Sequence, residues 1–292
     1  MNYAQLKAFH AVTSEGSFTK AARLLGVSQP AVSFQVKALE EAYGVTLFDR
    51  RGRRVVPTEL GSTLLGLTRR LFSVEEEVRE VLAAAQELKH GRLRLGADGP
   101  YHVTRLLAAF SRRYPGLSVS LAIGNSDEVL QHLVDYRTDV AVLARLEDDP
   151  RLHAISLGRH RLVVFVRRSH PWARRNSVRL QDLEGQRMVL REVGSVTRRV
   201  FEEGLEKAGV TPRVVMEIES REAVREVVAA GLGIGVVSEA EFGGDRRLKA
   251  LPVSDVRLEN SEYVVCLKDR RKLRVVSAFL DIVEEFLAAN RA

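Results

Sequence analysis

Apolar residues recur at positions 60, 64, 67, 71, 74, 78, 81, 85 and 88, with steps that alternate four and three. A seven-residue repeat held this strictly is a helical seam. The spacing predicts one helix over 58–89, roughly 45 Å long at about 1.5 Å per residue. Thr58 is placed to cap its start and Gly91 its end. A single helix cannot bury a continuous stripe, but two copies side by side can. Leu60, Leu64, Leu67, Leu71, Val74, Val78, Val81 and Leu88 are therefore the expected dimerisation residues. Packing of the stripe on the chain's own C-terminal part is the alternative.

Upstream, residues 17–40 read as two short helices and a tight turn. Ala21, Ala22, Leu24 and Leu25 give the first helix an apolar face. Gly26 sits where the chain must reverse. Ser28 is a candidate N-cap, with Pro30 in the first turn. Val32, Val36 and Leu39 then form one buried stripe. The opposite face carries Gln29, Pro30, Ser33, Phe34 and Lys37. Gln and Ser can bond base edges, Lys reaches phosphate or guanine, and Phe can touch a thymine methyl. That face suits a major groove, as in a helix-turn-helix. A plain helical hairpin gives the same apolar pattern, so the flanks matter. Residues 45–58 read as a hairpin tipped by Arg50, Arg51, Arg53 and Arg54, a basic wing suited to phosphate contact.

Here the chain resembles the LysR-type transcriptional regulators. The residues that carry the resemblance are Leu6-x2-Phe9, Gly16-Ser17-Phe18, Ala21-Ala22, Ser28-Gln29-Pro30-Ala31-Val32-Ser33, Leu39-Glu40, Leu47-Phe48 and Thr58-x2-Gly61. The likeness is dense over 1–60 and continues to the end of the chain. It implies that Gln29, Pro30, Ser33 and position 34 face DNA, although Phe34 departs from the polar residue usual there. Ser17, Thr19, Lys20, Ser28 and Lys37 complete the expected DNA-binding set with the four wing arginines. The partners expected are double-stranded DNA with a dyad-symmetric promoter site, a small-molecule effector, and the chain itself as homodimer and, by the resemblance, homotetramer. RNA polymerase is an allowed further partner. No cofactor is expected.

Net charge supports this reading only weakly. The chain is +7 at neutral pH, which favours an anionic partner without requiring one. The lone Cys266, flanked by Val265 and Leu267, reads as a buried strand position and excludes an intramolecular disulfide. No apolar run approaches the roughly 20 residues needed to cross a bilayer, so a cytoplasmic protein with no membrane partner is expected.

From Gly91 onward the hydrophobic period shortens. Strands at 92–97, 117–123 and 139–144 alternate with helices at 103–114 and 126–136. A second unit follows: strands at 162–167, 187–190, 214–218, 234–238 and 262–268, helices at 196–208 and 221–230, and a closing helix at 273–289. Alternation of this kind implies parallel α/β architecture. The resemblance adds the assembly: an α/β chain overall, with an N-terminal winged helix-turn-helix (1–57), a coiled-coil linker helix (58–90) and a two-lobed effector domain like periplasmic solute-binding proteins (91–292). Lobe I would take 91–161 and 265–292, and lobe II 162–264.

Ligands of parallel sheets bind beyond the carboxyl ends of strands and at helix N-termini. Three loops qualify: 97–102 with Asp98, Tyr101 and His102; 124–126 with Asn125 and Ser126; and 191–198 with Arg191, Gly194, Ser195 and Thr197. Each hydroxyl also has a plain capping role open to it. The resemblance places the effector between the lobes against these loops, and Ser220 joins the set. Asp98 beside an anion cradle suggests a zwitterion, amine on Asp98 and acid on the helix ends. The segments 97–103 and 220–242 are similar to LysR-type regulators of 2-aminoethylphosphonate catabolism, and that ligand fits the zwitterion.

Gly231, Gly233 and Gly235 lie between a helix and a strand, the wrong order for a dinucleotide fingerprint. The histidines show no metal-ligand spacing, and neither a G-x-S-x-G elbow nor a phosphate-binding P-loop is present. An α/β enzyme or a cytoplasmic solute-binding protein would use the same cleft, but neither accounts for residues 1–60 or the heptads. The expectation is a regulator with no catalytic and no metal-binding residues.

Overall fold

The computed structural model describes residues 1–49, 55–82, 91–146 and 148–291. Contacts divide the chain into two compact units, Met1–Ala85 and Gln86–Ala292.

In the first unit, helix α1 (Tyr3–Glu15) opens with a capping box in which Asn2 and Gln5 satisfy each other's backbone N–H groups. Ser17 caps α2 (Phe18–Leu25). Gly26 (φ 67°) then reverses the chain, its N–H turned back to the Ala22 and Arg23 carbonyls. Ser28 caps α3 (Gln29–Tyr43), with Pro30 in its first turn. Phe9, Val12, Ala21, Val32, Val36 and Leu39 are buried together, so the predicted stripe is the core of a three-helix unit. Full burial of a side chain such as Phe9 contributes about 1.5–3 kcal/mol. Glu40 is buried because its Oε1 accepts the Leu47 N–H at 2.7 Å.

Strands β1 (Phe48–Asp49) and β2 (Val56–Pro57) pair antiparallel as the stem of the wing. Thr58 accepts the Gly61 N–H at 3.0 Å and so caps α4 (Glu59–Leu82). Gly61 is required there, because a Cβ would collide with the Leu47 carbonyl. One face of α4 packs inward through Leu65 and Thr68. The Thr68 hydroxyl donates to the Leu65 carbonyl, so it accepts from His10 Nδ1 at 3.0 Å.

The second unit begins with β3 (Gly91–Ala97), α5 (Pro100–Arg113), β4 (Leu117–Ile123), α6 (Ser126–Val134) and β5 (Val140–Leu143). Strand β3 runs parallel to both β4 and β5. Then comes β6 (Leu152–Arg167), followed by β7 (Arg187–Arg191), α7 (Val196–Ala208), β8 (Arg213–Ile218), α8 (Arg221–Ala229), β9 (Gly235–Ser238), α9 (Glu239–Phe242), β10 (Leu248–Pro252), β11 (Glu259–Leu267) and α10 (Arg274–Arg291). The large sheet runs β4-β3-β5-β11-β6-β10, with β9 also on β6.

Three expectations need correction. The strand expected at 162–167 is one element from Leu152 onward. Residues up to Arg161 pair with β11, and from Leu162 the strand pairs with β9 and β10. Its first half is half-buried and mixed in polarity, which hid it from a period-2 reading. Strand β10 was not anticipated, because it is short and carries the Lys249 and Pro252 that weaken a strand signal. Gly91, expected to end the long helix, is the first residue of β3.

One lobe holds a core around Leu95, Phe110, Val264 and Phe279, and a second around Val129, Leu133 and Val265 on the other sheet face. The other lobe is built on Val164, Leu183, Met188 and Phe201, with Val189, Val224 and Val228 opposite. Strand β6 runs through both, and β11 enters the first lobe from Leu258, which packs in the second. The cleft lies in the gap they bridge.

Candidate nucleic-acid interface and effector cleft

The N-terminal turn of α3 is open to solvent. Gln29, Pro30, Ala31 and Lys37 are exposed, and Phe34 is 67% accessible. Ser33 is half-buried, and its Oγ accepts the Gln29 amide N–H at 2.8 Å. That bond fixes the Gln29 rotamer and leaves its carbonyl and second N–H outward, the pair a bidentate contact to adenine needs. Ser17 and Ser28 are occupied as caps, which places two helix N-termini on this side. Thr19 and Lys20 are exposed, and Lys37 pairs with Glu41 across one helical turn at 3.5 Å. An exposed pair of this kind contributes little, so Lys37 can exchange Glu41 for a phosphate. The expected wing arginines Arg50, Arg51, Arg53 and Arg54 lie outside the described residues.

Leu60, Leu67, Leu71, Val74 and Val78 are exposed along α4. Leu64 is the exception among the expected dimer residues, being half-buried against the core of the first unit. The Val81 side chain and Leu88 lie outside the described residues. A row of large apolar groups in water marks an interaction surface.

In the second unit, strand ends and helix starts from both lobes converge. An inner cleft is lined by Asp98, Asn125, Ser126, Ala144, Arg191, Ser195, Thr197, Arg221, Glu241, Asn260 and Glu262. It opens to a groove of about 740 Å³ lined by Gly99, Asn125, Glu192, Glu217, Ser220 and Arg221 among others. The inner space is about 10 Å³, room for a single water. A larger ligand must part the lobes.

Several expected residues take other roles. Asp98 does not present a vacant carboxylate. Its Oδ2 accepts both the Ser126 hydroxyl and the Ala144 N–H, the latter at 2.7 Å. Asp98 thus ties β3 to α6 and to the end of β5, which removes the motive for an amine there. Ser126 is spent on the same tie, and Asn125 caps α6. Tyr101 is exposed and lines neither cavity. His102 lies behind the cleft wall, its ring 4.8 Å from that of His160 and its Nε2 4.0 Å from Glu262. Both arise because α5 begins at Pro100, which turns them along the helix. Arg191 is engaged by its neighbour Glu192 through two bonds of 2.7 Å.

The rest serve the cleft. Ser195 caps α7, Thr197 lines its first turn, and both are buried. Gly194 (φ 99°) lets the loop pass close to the Asn125 amide. Ser220 caps α8 at the groove edge.

Four residues that line the inner cleft were not among those expected: Arg221, Glu241, Asn260 and Glu262. Arg221 pairs with Glu241 at 3.1 Å and reaches the Asp98 carbonyl at 3.5 Å. Gly99 leaves room for this pair, since a Cβ there would meet the tips of the Arg221 and Glu241 side chains. Asn260 and Glu262 belong to β11, and a signal existed for them: polar residues at 260 and 262 share the parity of buried Val264 and Cys266.

Burial dominates the electrostatics. It pushes the Asp98 and Glu241 carboxyls up, and Glu262 well above the usual range, helped by the negative charges of Asp98 and Glu241. Burial also lowers His102 to about 4, with His160 and Arg221 adding to the effect, so its imidazole is neutral at pH 7. The cleft therefore joins cationic Arg191 and Arg221 and two helix N-termini to a protonatable acidic floor.

An exposed helix-turn-helix joined to a two-lobed cleft defines a ligand-responsive DNA-binding protein. Residues 3–62 match the lysR-family bacterial regulatory helix-turn-helix model, and 86–288 the LysR substrate binding domain model. The chain belongs to the LysR family of transcriptional regulators. It is 35% identical to the transcriptional activator CmpR of a Synechocystis strain over 95% of this chain and 93% of that one. Its fold resembles CbnR in complex with target DNA (TM-score 0.70, 24% identity, 98% and 99% of the chains). It also resembles the regulatory domain of Synechocystis CcmR in complex with 2-PG (TM-score 0.61, 28% identity, 68% and 96%). These relatives are named regulators, not enzymes. Among the described residues, no helix is long and apolar enough to cross a membrane.

Proposed function

We propose that this regulator is a cytoplasmic homodimer whose two α3 helices read a dyad-symmetric promoter site. Gln29, Ser33 and Phe34 contact bases, while Lys20, Lys37 and the wing arginines contact phosphates. The exposed α4 stripe joins the two copies, and effector domains pair the dimers into a tetramer that acts on RNA polymerase. The observation that carries this reading is the solvent-facing first turn of α3, where Gln29 is already held by Ser33.

The effector is a small multiply charged acid bound between Arg221 and the N-terminus of α7. CcmR in complex with 2-PG supports an acid of that kind. 2-Aminoethylphosphonate fits the same anion cradle, but its ammonium finds Asp98 already bonded. Fluorescence anisotropy with labelled DNA from upstream of the protein's own gene tests the reading. Nanomolar binding that 2-PG changes several-fold is expected. Binding no tighter than to random duplex contradicts it.

A further inference from the structure

Resting on the cleft assignment above, we infer that Asn260 and Glu262 read hydrogen-bond donors, so that the effector is a small acid bearing a hydroxyl or ammonium group away from its anionic end. The two side chains lie two residues apart on β11 and both line the inner cleft. Asn260 is 6% exposed, and its Oδ1 has no hydrogen-bond partner. Glu262 is 5% exposed, and His102, at 4.0 Å, is beyond hydrogen-bonding reach.

Neither group is a plausible packing residue. A buried carbonyl with no donor, as at Asn260, is costly, and native interiors rarely tolerate one; the Glu262 carboxyl lines the same space. The charged neighbours offer no remedy, and the other polar side chains lining the cleft are the Asn125 amide and the Ser126, Ser195 and Thr197 hydroxyls. Asp98, just past the end of β3, and Glu241 from α9 are further acceptors. Arg221 from α8 is committed to Glu241 and the Asp98 carbonyl, Arg191 from β7 to Glu192. His102 from α5 and His160 from β6 stack on one another. One water fits the space. A ligand hydroxyl or ammonium that displaces it restores its bonds, whereas a ligand without donors strands the oxygens. Burial holds Glu262 protonated more readily than an ordinary carboxyl. The floor thus serves a neutral hydroxyl as a neutral acid, or an ammonium as a carboxylate.

Calorimetric titration of the full-length protein separates the cases. Phosphoglycolate has the two acid groups alone, 3-phosphoglycerate adds a hydroxyl, and 2-aminoethylphosphonate carries an ammonium. Binding of at least one of the last two about tenfold tighter than phosphoglycolate is expected. Asn260→Ala should shrink a hydroxyl preference to within about threefold, and Glu262→Gln should abolish an ammonium preference while sparing a hydroxyl one. The ranking on the unaltered protein is informative even if a variant fails to fold. Phosphoglycolate binding as tightly as both others overturns donor reading and leaves the cleft assignment standing. No heat from any of the three overturns both.

Discussion

The two ends of this molecule solve recognition in opposite ways. On α3 the reading residues stand in water, with Gln29 and Lys37 exposed and Phe34 two-thirds accessible. In the cleft nearly every polar group is buried, and Asp98, Glu241 and Glu262 are driven toward their neutral forms. The difference follows from the partners. DNA brings a dense row of phosphates, so exposed cations on a rigid helix suffice, and their attraction is screened by salt. A small molecule offers a few atoms, so the protein must desolvate them and match each one. Exposure makes the head tolerant of substitution, and burial makes the cleft sensitive to pH and to single atoms.

The largest effect should come from α4. Leu71 is 44% exposed within one chain, so Leu71→Glu should leave the fold intact while placing a charge in the proposed dimer seam. Dimer affinity should fall at least about 30-fold, since loss of an interface anchor costs about 2 kcal/mol or more. Sedimentation velocity reads this directly. An unshifted dimer constant would return the stripe to some other partner.

Acid should next distinguish the two units. His10 is lowered to about 4 by burial, below its unfolded value of about 6.5. The stability it contributes is present above about pH 6.5 and is lost as pH falls toward 4. The loss should be on the order of 1–3 kcal/mol after solvent screening. Thermal melts of wild type and His10→Gln between pH 4 and 7.5 should diverge accordingly, with the variant flatter.

Glu262 runs the other way. Its folded carboxyl is raised, so its contribution is fully present below the unfolded carboxylate range and is lost as pH rises through the folded value. Glu262→Gln should therefore raise Tm by a few degrees at pH 8 and not at pH 4. A gain independent of pH would mean that packing, not charge, is responsible.

The smallest effect belongs to the exposed cation Lys37. Lys37→Ala should weaken cognate and random duplex alike and reduce the salt slope by about 0.9. An unchanged slope in anisotropy titrations would remove Lys37 from the phosphate set.

The head was largely legible in sequence and the cleft only in part, for the same physical reason. Caps, turns and one apolar stripe are local, so Gly26, Ser28 and the Val32–Val36–Leu39 face could be read from spacing alone. The cleft is assembled from strands and helices far apart in the chain. Sequence located its loops but not which atoms would already be bonded. Asp98 looked vacant because Ser126 and Ala144, 28 and 46 residues away, fill it only in the fold. Tyr101 and His102 were displaced by a helix that starts at Pro100 rather than at 103. Arg221 and Glu241 lie 20 residues apart with no local pattern to link them, and only the folded chain brings them to 3.1 Å.

Base reading by α3 is tested most directly by measuring Gln29→Ala against both cognate promoter DNA and random duplex at one salt concentration. A loss of about 1–3 kcal/mol on the cognate site with little change on random DNA is predicted. Equal losses on the two would mean that this helix positions the protein without reading sequence.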